Sequence, residues 1–457
     1  MLHLLMIKLR LWIMYIFAAL FYLNVVAQET PHFSVVVQRG DPAPGVGDGT
    51  TFGSLSIQGG FGVPLIDTAG NVVFTASLDG LNVTPGDEQS LWIKQGEEFK
   101  LIVQMGQAVE GLDQPLLSIS NINADGDGHV AFLAQLRNNP VPIRLRDYLL
   151  KSGPVGLTVV ARPGDAAPEY TSQANVLESL ADPRLNKAGT VAYSAFVTGT
   201  PFSTGAYLDQ SRVDWFDAVM PADMLFYAGH PWLNDSGDIA MIGVARDDPA
   251  VAFRNIRGIY SGDASQLEGS PIYAIPDVQR PGLPVPDSTP VPGFEDSHFD
   301  IKHLLAFNDR GDIAIQAQAV APPLGPSGIW AGQPDSLEEV LLAGSPSPHE
   351  GFIWPENFGL SPIPHLVMNN AGDVAFFTSV FNPESSENRR SLYYRSNSET
   401  RIVFTEGDIL PIPEFENNPA AEVFKGLLSV MMGDAKLAFL VTNGRPNSNL
   451  TQHSLWL

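Results

Sequence analysis

Three histidines and one aspartate carry the chain's best prospect of chemistry. His230 and His365 lie four residues before Asn234 and Asn369, Asp182 lies four before Asn186, and His303 lies five before Asn308. Three imidazoles converging on one channel would hold a divalent metal with positions left open for water, the centre of a metal-assisted hydrolase or lyase. The offset of His303 works against this, because side chains alternate faces along a strand and an odd step turns it away. Packed or channel-solvated histidines are the plainer assignment.

A second group, Asn121, Asn123, Asp125 and Asp127, places oxygen donors at alternate positions around Gly126 and Gly128, as calcium loops do. The bidentate acid such a loop needs later is replaced by Phe132, so an Asx-rich turn explains the same residues. Residues 295–300 (E-D-S-H-F-D) with His303 are a third set of possible ligands. The implied cofactor is a divalent cation, calcium or a transition metal. The chain has no cysteine, which excludes a thiolate nucleophile, disulfides and sulfur metal sites. No G-x-S-x-G, H-E-x-x-H or phosphate loop occurs. Carboxylate pairs suited to glycoside hydrolysis arise by chance among 50 Asp and Glu, so they single out no catalytic residue.

The elements that must position these residues are two alternating turns. The first pairs Asn or Asp with Gly three residues later, ahead of a strand-forming run. It occurs at Asp67, Asn123, Asn186, Asn234, Asn308 and Asn369, with a decayed copy holding Met432 and Ala435. The second is Gly-Asp-x-x-Pro-like, best seen at Gly40-Asp41, Gly164-Asp165 and Gly407-Asp408. Arg39-Gly40-Asp41 is one of these turns, so its adhesion-like tripeptide is structural.

Each interval holds four short strands. In the first, strand A ends at Ile66, B runs over 71–78, C over 90–94 and D over 99–104. The C strand recurs with an aromatic at Trp92, Tyr207, Tyr260, Trp330, Tyr393 and Trp456, expected between blades. Four antiparallel strands taken seven times predict an all-β, seven-bladed β-propeller. An orphan strand over 33–38 and another over 454–457 would complete one blade from both termini and close the ring. The proline-rich insertion 280–294 is expected to project as a stiff loop between blades four and five.

Lys8 and Arg10 precede an apolar run, 11–23, and Val25-Val26-Ala27 puts small residues before a cleavage point. Residues 1–27 read as a signal peptide and 28–457 as one propeller domain. An exported, monomeric protein, periplasmic or extracellular, is expected, with no membrane span once the leader is gone. The formal charge of −24 disfavours nucleic acid and anionic membranes.

The recurrent turns resemble a family of exported bacterial proteins defined by tandem N-x-x-G-x-x-x-F repeats. The likeness covers the mature chain and implies export and a repeat fold, but it brings no catalytic residue. This chain differs in ending at Leu457 without an anchor helix. The expected function is a binding or scaffold module for a glycan, peptide or partner protein. Metal-assisted hydrolysis or elimination at the channel histidines is the alternative, and a purely structural envelope role a third.

Overall fold

The computed structural model describes residues 35–53, 65–67, 69–124, 128–137, 146–153, 156–167, 175–198, 204–212, 225–246, 255–263, 273–275, 290–291, 294–320, 325–334, 336–355, 366–408, 423–432, 437–444 and 452–456. The leader and its cleavage point lie outside them. Every regular element among the described residues is a strand.

The strands form small antiparallel sheets that follow one another along the chain. The second sheet shows the plan: Leu116–Ala124, Val130–Leu136, Asp147–Gly153 and Gly156–Ala161 pair in sequence order. Five sheets have four strands and two have five, which corrects the expectation of four throughout. In the first sheet Thr51–Phe52 pairs with Asp79 and Leu78, beyond the reach of the two-residue strand Leu65–Ile66. In the fifth, Pro290–Val291 folds back on His298 and Phe294. Part of the proline-rich insertion is therefore an edge strand, a place where a residue without an N–H does no harm.

The second strand of each sheet explains the packing. Val72-Val73-Phe74, Val130-Ala131-Phe132 and Val374-Ala375-Phe376 are apolar at every position and buried throughout. Burial on both faces demands this pattern, since alternate side chains must satisfy two different neighbours. One apolar cluster joins Val73, Leu91 and Ile93 to Leu116, Val130 and Phe132 of the next sheet. Another joins Ala314, Ile329 and Val340 to Leu366, Val374 and Phe376. The first strands also meet in series. Leu65–Ile66 touches Leu116–Ala124, which touches Leu177–Leu185, then Leu225–Leu233, Phe294–Phe307, Leu366–Met368 and Val423–Met432, which returns to Leu65–Ile66. The sheets thus stand in a ring, a propeller-like arrangement.

Val35–Gln38 pairs with Gln452–Trp456, Val35 opposite Trp456 and Gln38 opposite Ser454. The third-strand aromatics Trp92, Tyr207, Trp330 and Tyr393 are fully buried. Tyr393 stacks on Phe376 with centroids 5.4 Å apart, and Trp92 meets Phe52 edge-on at 5.0 Å. Such pairs add about 1 kcal/mol each to the core. They are core residues and offer no open face to a ligand.

Candidate ligand site at the bulged first strands

The turn after each first strand is held by one side chain. At Asn308 the Oδ1 accepts the Asp312 N–H at 2.9 Å, and the backbone carbonyl accepts the Gly311 N–H at 3.1 Å. Asn186, Asn234, Asn369 and Asp67 cap their own turns in the same way. The closing glycines Gly189 and Gly311 sit at φ 77° and 81°, which a side chain would strain. Asn308 Nδ2 then donates to the Asn369 carbonyl at 2.9 Å, and Asn234 Nδ2 donates to the Asn308 carbonyl at 3.2 Å. The following residues repeat the hand-over. The Lys187 N–H donates to Asp235 Oδ1, the Asp235 N–H to Asp309 Oδ1, and the Asp309 N–H to Asn370 Oδ1. Burial pushes the Asp309 carboxyl above its ordinary range, and the nearby Asp235 charge adds to the effect. Asp238, Asp312 and Asp373 accept from the amide of their own turn asparagine, as hairpin chemistry requires.

In the second sheet this turn closes at Gly128, not at Gly126. Gly128 has φ 79° and its following strand starts at Val130, as Gly189 is followed by Val191. Asp125 and Asp127 lie outside the described residues. Asn121 and Asn123 belong to the strand before the turn. This corrects the placement of the calcium-loop candidates, since two of the four sit in a sheet.

Three successive first strands bulge at one register. Pairing jumps from Ser120 to Asn123, from Ala181 to Arg184, and from Gly229 to Trp232. The first bulged residue is Asn121, Asp182 and His230 respectively. Asn121 and Asp182 adopt φ 47° and 53°, the left-handed region that these two residue types tolerate best. Both side chains are half-buried, and Ser194 Oγ donates to Asp182 Oδ2 at 3.4 Å.

Of the three histidines, His230 shares this place and His303 does not. His303 pairs with Gln316 ahead of a bulge at Leu305, so it holds the register of Ala181, one step from Asp182. His230 lies in the strand Leu225–Leu233, and His365 lies outside the described residues. Among the described residues, no group of three or more His, Cys, Asp or Glu could hold a metal ion. Residues 295–300 lie within the strand Phe294–Phe307.

Sequence reasoning missed Arg184 and Trp232, which hold the register position just past the bulge in neighbouring strands. The Arg184 guanidinium lies 3.8 Å from the centre of the Trp232 ring. Burial pulls its pKa down to about 10, opposed by the negative charge of Asp182. The signal available was the common offset, each residue two before its turn asparagine. Next to them, Asn123 Oδ1 accepts the Leu185 N–H at 2.7 Å, linking the first strands of sheets two and three.

His349 has a structural role. His349 Nε2 lies 2.9 Å from Ser391 Oγ, which in turn bonds Thr405, and burial pulls the imidazole pKa down. Ser391 is fully buried, and its counterpart Ser90 donates to the Ala76 carbonyl and accepts from Trp92 Nε1.

A ring of small antiparallel sheets with polar bulges on neighbouring first strands defines an all-β, propeller-like protein. Residues 18–213 and 276–457 match the family described as "Family of unknown function (DUF7453)", and the chain belongs to it. No curated protein sequence matches it. Among solved structures, the chain is similar to the β-propeller domain of the Trilobed protease from Pyrococcus furiosus, with 9% identity, TM-score 0.41, and 89% of this chain and 95% of that one covered. It is similar to polysaccharide lyase Uly1 at 11% identity and TM-score 0.42, over 93% of this chain and 98% of that one. For Trypanosoma rangeli sialidase the values are 10% and 0.34, over 94% and 59%. These likenesses transfer no residue role.

Proposed function

We propose that the protein is an exported binding module, a single closed ring of seven blades over 28–457, whose bulged first strands receive a glycan, peptide or partner protein. The series of first-strand contacts and the pairing of Val35–Gln38 with Gln452–Trp456 support the closed ring. The leader-like segment supports export, and secretion of a reporter fused after residue 27 tests it. One observation carries the binding role: Asn121 and Asp182 occupy the same left-handed position in adjacent strands. A left-handed non-glycine residue costs on the order of 1 kcal/mol and persists where the surroundings impose it, most often at functional sites. Bulges re-aim side chains in such places.

Asp182→Gly tests the link. Relief of φ 53° should leave unfolding stability unchanged or raised by about 1 kcal/mol, while capture on a glycan and peptide array falls. An array signal equal to wild type, or turnover of a substrate with no binding at all, overturns the assignment.

A further inference from the structure

The contact between Arg184 and Trp232 has a chemical direction. The Arg184 guanidinium carbon lies 3.8 Å from the centre of the Trp232 ring, within cation–π range, and the group carries its N–H donors in a planar fork. That fork fits a planar carboxylate, bound through two parallel hydrogen bonds. Arg184 and Trp232 are both half-buried, so an arriving anion meets the cation where water screens it less than at the open surface. Asp182, two residues earlier on the same strand, sets a condition. Its charge acts on Arg184, so a bare anion would be repelled unless the same ligand turns a hydroxyl donor towards Asp182. Asn123 stands beside this pair on the adjoining strand, its Oδ1 engaged by Leu185, and its amide nitrogen is a donor suited to a second hydroxyl. The formal charge of −24 works against polyanions, which meet repulsion across the whole surface.

We propose that Arg184, over Trp232, binds the carboxylate of a hydroxylated monocarboxylate with the chemistry of a uronic acid residue, while Asp182 accepts from a neighbouring hydroxyl. This rests on the ligand face proposed above and names what that face takes. A free sugar acid and a uronate within a glycan share this chemistry.

The test titrates the protein with glucuronic acid, its methyl ester and a trisaccharide holding one glucuronic acid between two neutral sugars, followed by calorimetry and tryptophan fluorescence. The acid is expected to bind at least about tenfold more tightly than the ester, the scale of one charge-assisted hydrogen bond. Arg184→Gln should abolish that preference, and Arg184→Lys should restore only part of it, having charge without the fork. A trisaccharide binding more tightly than the free acid identifies a glycan as the source, and equal affinity identifies the free acid. Should Arg184→Gln fail to fold, the acid-to-ester ratio on the wild-type protein decides alone. Equal binding of acid and ester, or none of either at millimolar concentration, overturns the proposal. Capture of neutral sugars that is lost in Asp182→Gly yet indifferent to Arg184→Gln would refute the carboxylate assignment while leaving the ligand face standing.

Discussion

The turns at the two ends of the sheets use one local device with different reach. At Asp41, Asp165 and Asp408 a side-chain oxygen accepts the N–H three residues earlier, from Gln38, Arg162 and Thr405 at 2.9, 2.9 and 2.7 Å. Only an acceptor is needed there, and each carboxylate sits near the surface. At Asn234 and Asn308 the side chain is buried, caps its own turn, and donates to the following sheet. That requires donor and acceptor on one planar group, which asparagine has and ionised aspartate lacks. Asp67 is the instructive exception, because Asn71 supplies the amide and donates to Asp67 Oδ2 at 2.7 Å.

The largest effect should separate these two regions. Asn308→Ala removes four hydrogen bonds and strands buried partners, so urea unfolding should show a loss of about 3 kcal/mol or more. Asp165→Ala removes one exposed cap and should cost about 1 kcal/mol. Equal losses would show that the hand-over between sheets adds nothing. Asn308→Asp should do no better than alanine, since it faces the Asp312 carboxylate now 2.8 Å from the amide.

A smaller difference is expected at the glycines. Gly344 at φ 76° has open space around an added methyl, so Gly344→Ala should cost about 1 kcal/mol from backbone strain alone. At Gly372, φ 86°, the methyl would meet Arg310 Nη2 at 2.7 Å and disturb its ion pair with Asp312. Gly372→Ala should therefore exceed Gly344→Ala by a few tenths of a kcal/mol, read from paired thermal melts.

The smallest effect concerns pH. Burial pushes the Asp373 carboxyl up, but hydrogen bonds from Ser396, Tyr394 and Asn369 with the Arg310 charge outweigh it and leave the pKa lowered. A depressed carboxylate stabilises the fold above its unfolded value and loses that contribution as pH falls through the folded one. The stability gap between wild type and Asp373→Asn should be full at neutral pH and close below 3.8. Asp67 runs the other way. Burial raises its pKa despite the Asn71 bonds, so its contribution improves as pH drops from neutral through the raised value. Parallel pH dependence of Asp373→Asn and Asp67→Asn would contradict the environments described.

Much of the scaffold was legible because turn chemistry is local. Asn186, Asn308 and Asn369 announce their hairpins, and the strands over 71–78, 90–94 and 99–104 fall within Val72–Asp79, Gln89–Gln95 and Glu98–Gln104 to within a residue or so. What failed was register. Asn123 imitates the turn asparagine but lies in the strand before the turn, and only the spacing from Gly128 to Phe132, equal to that from Gly189 to Tyr193, betrays the shift. His303 lies before a bulge at Leu305, in the register of Ala181, which agrees with its odd offset from Asn308. Arg184 and Trp232 meet across neighbouring sheets, a contact that no local motif encodes.

The pairing of Val35–Gln38 with Gln452–Trp456 has a consequence for biogenesis. A polypeptide emerging N-terminus first must carry that strand without its mate until Gln452–Trp456 has been translated. A stop codon before Gln452 should thus leave Val35–Gln38 as a naked edge and provoke aggregation out of proportion to the mass removed.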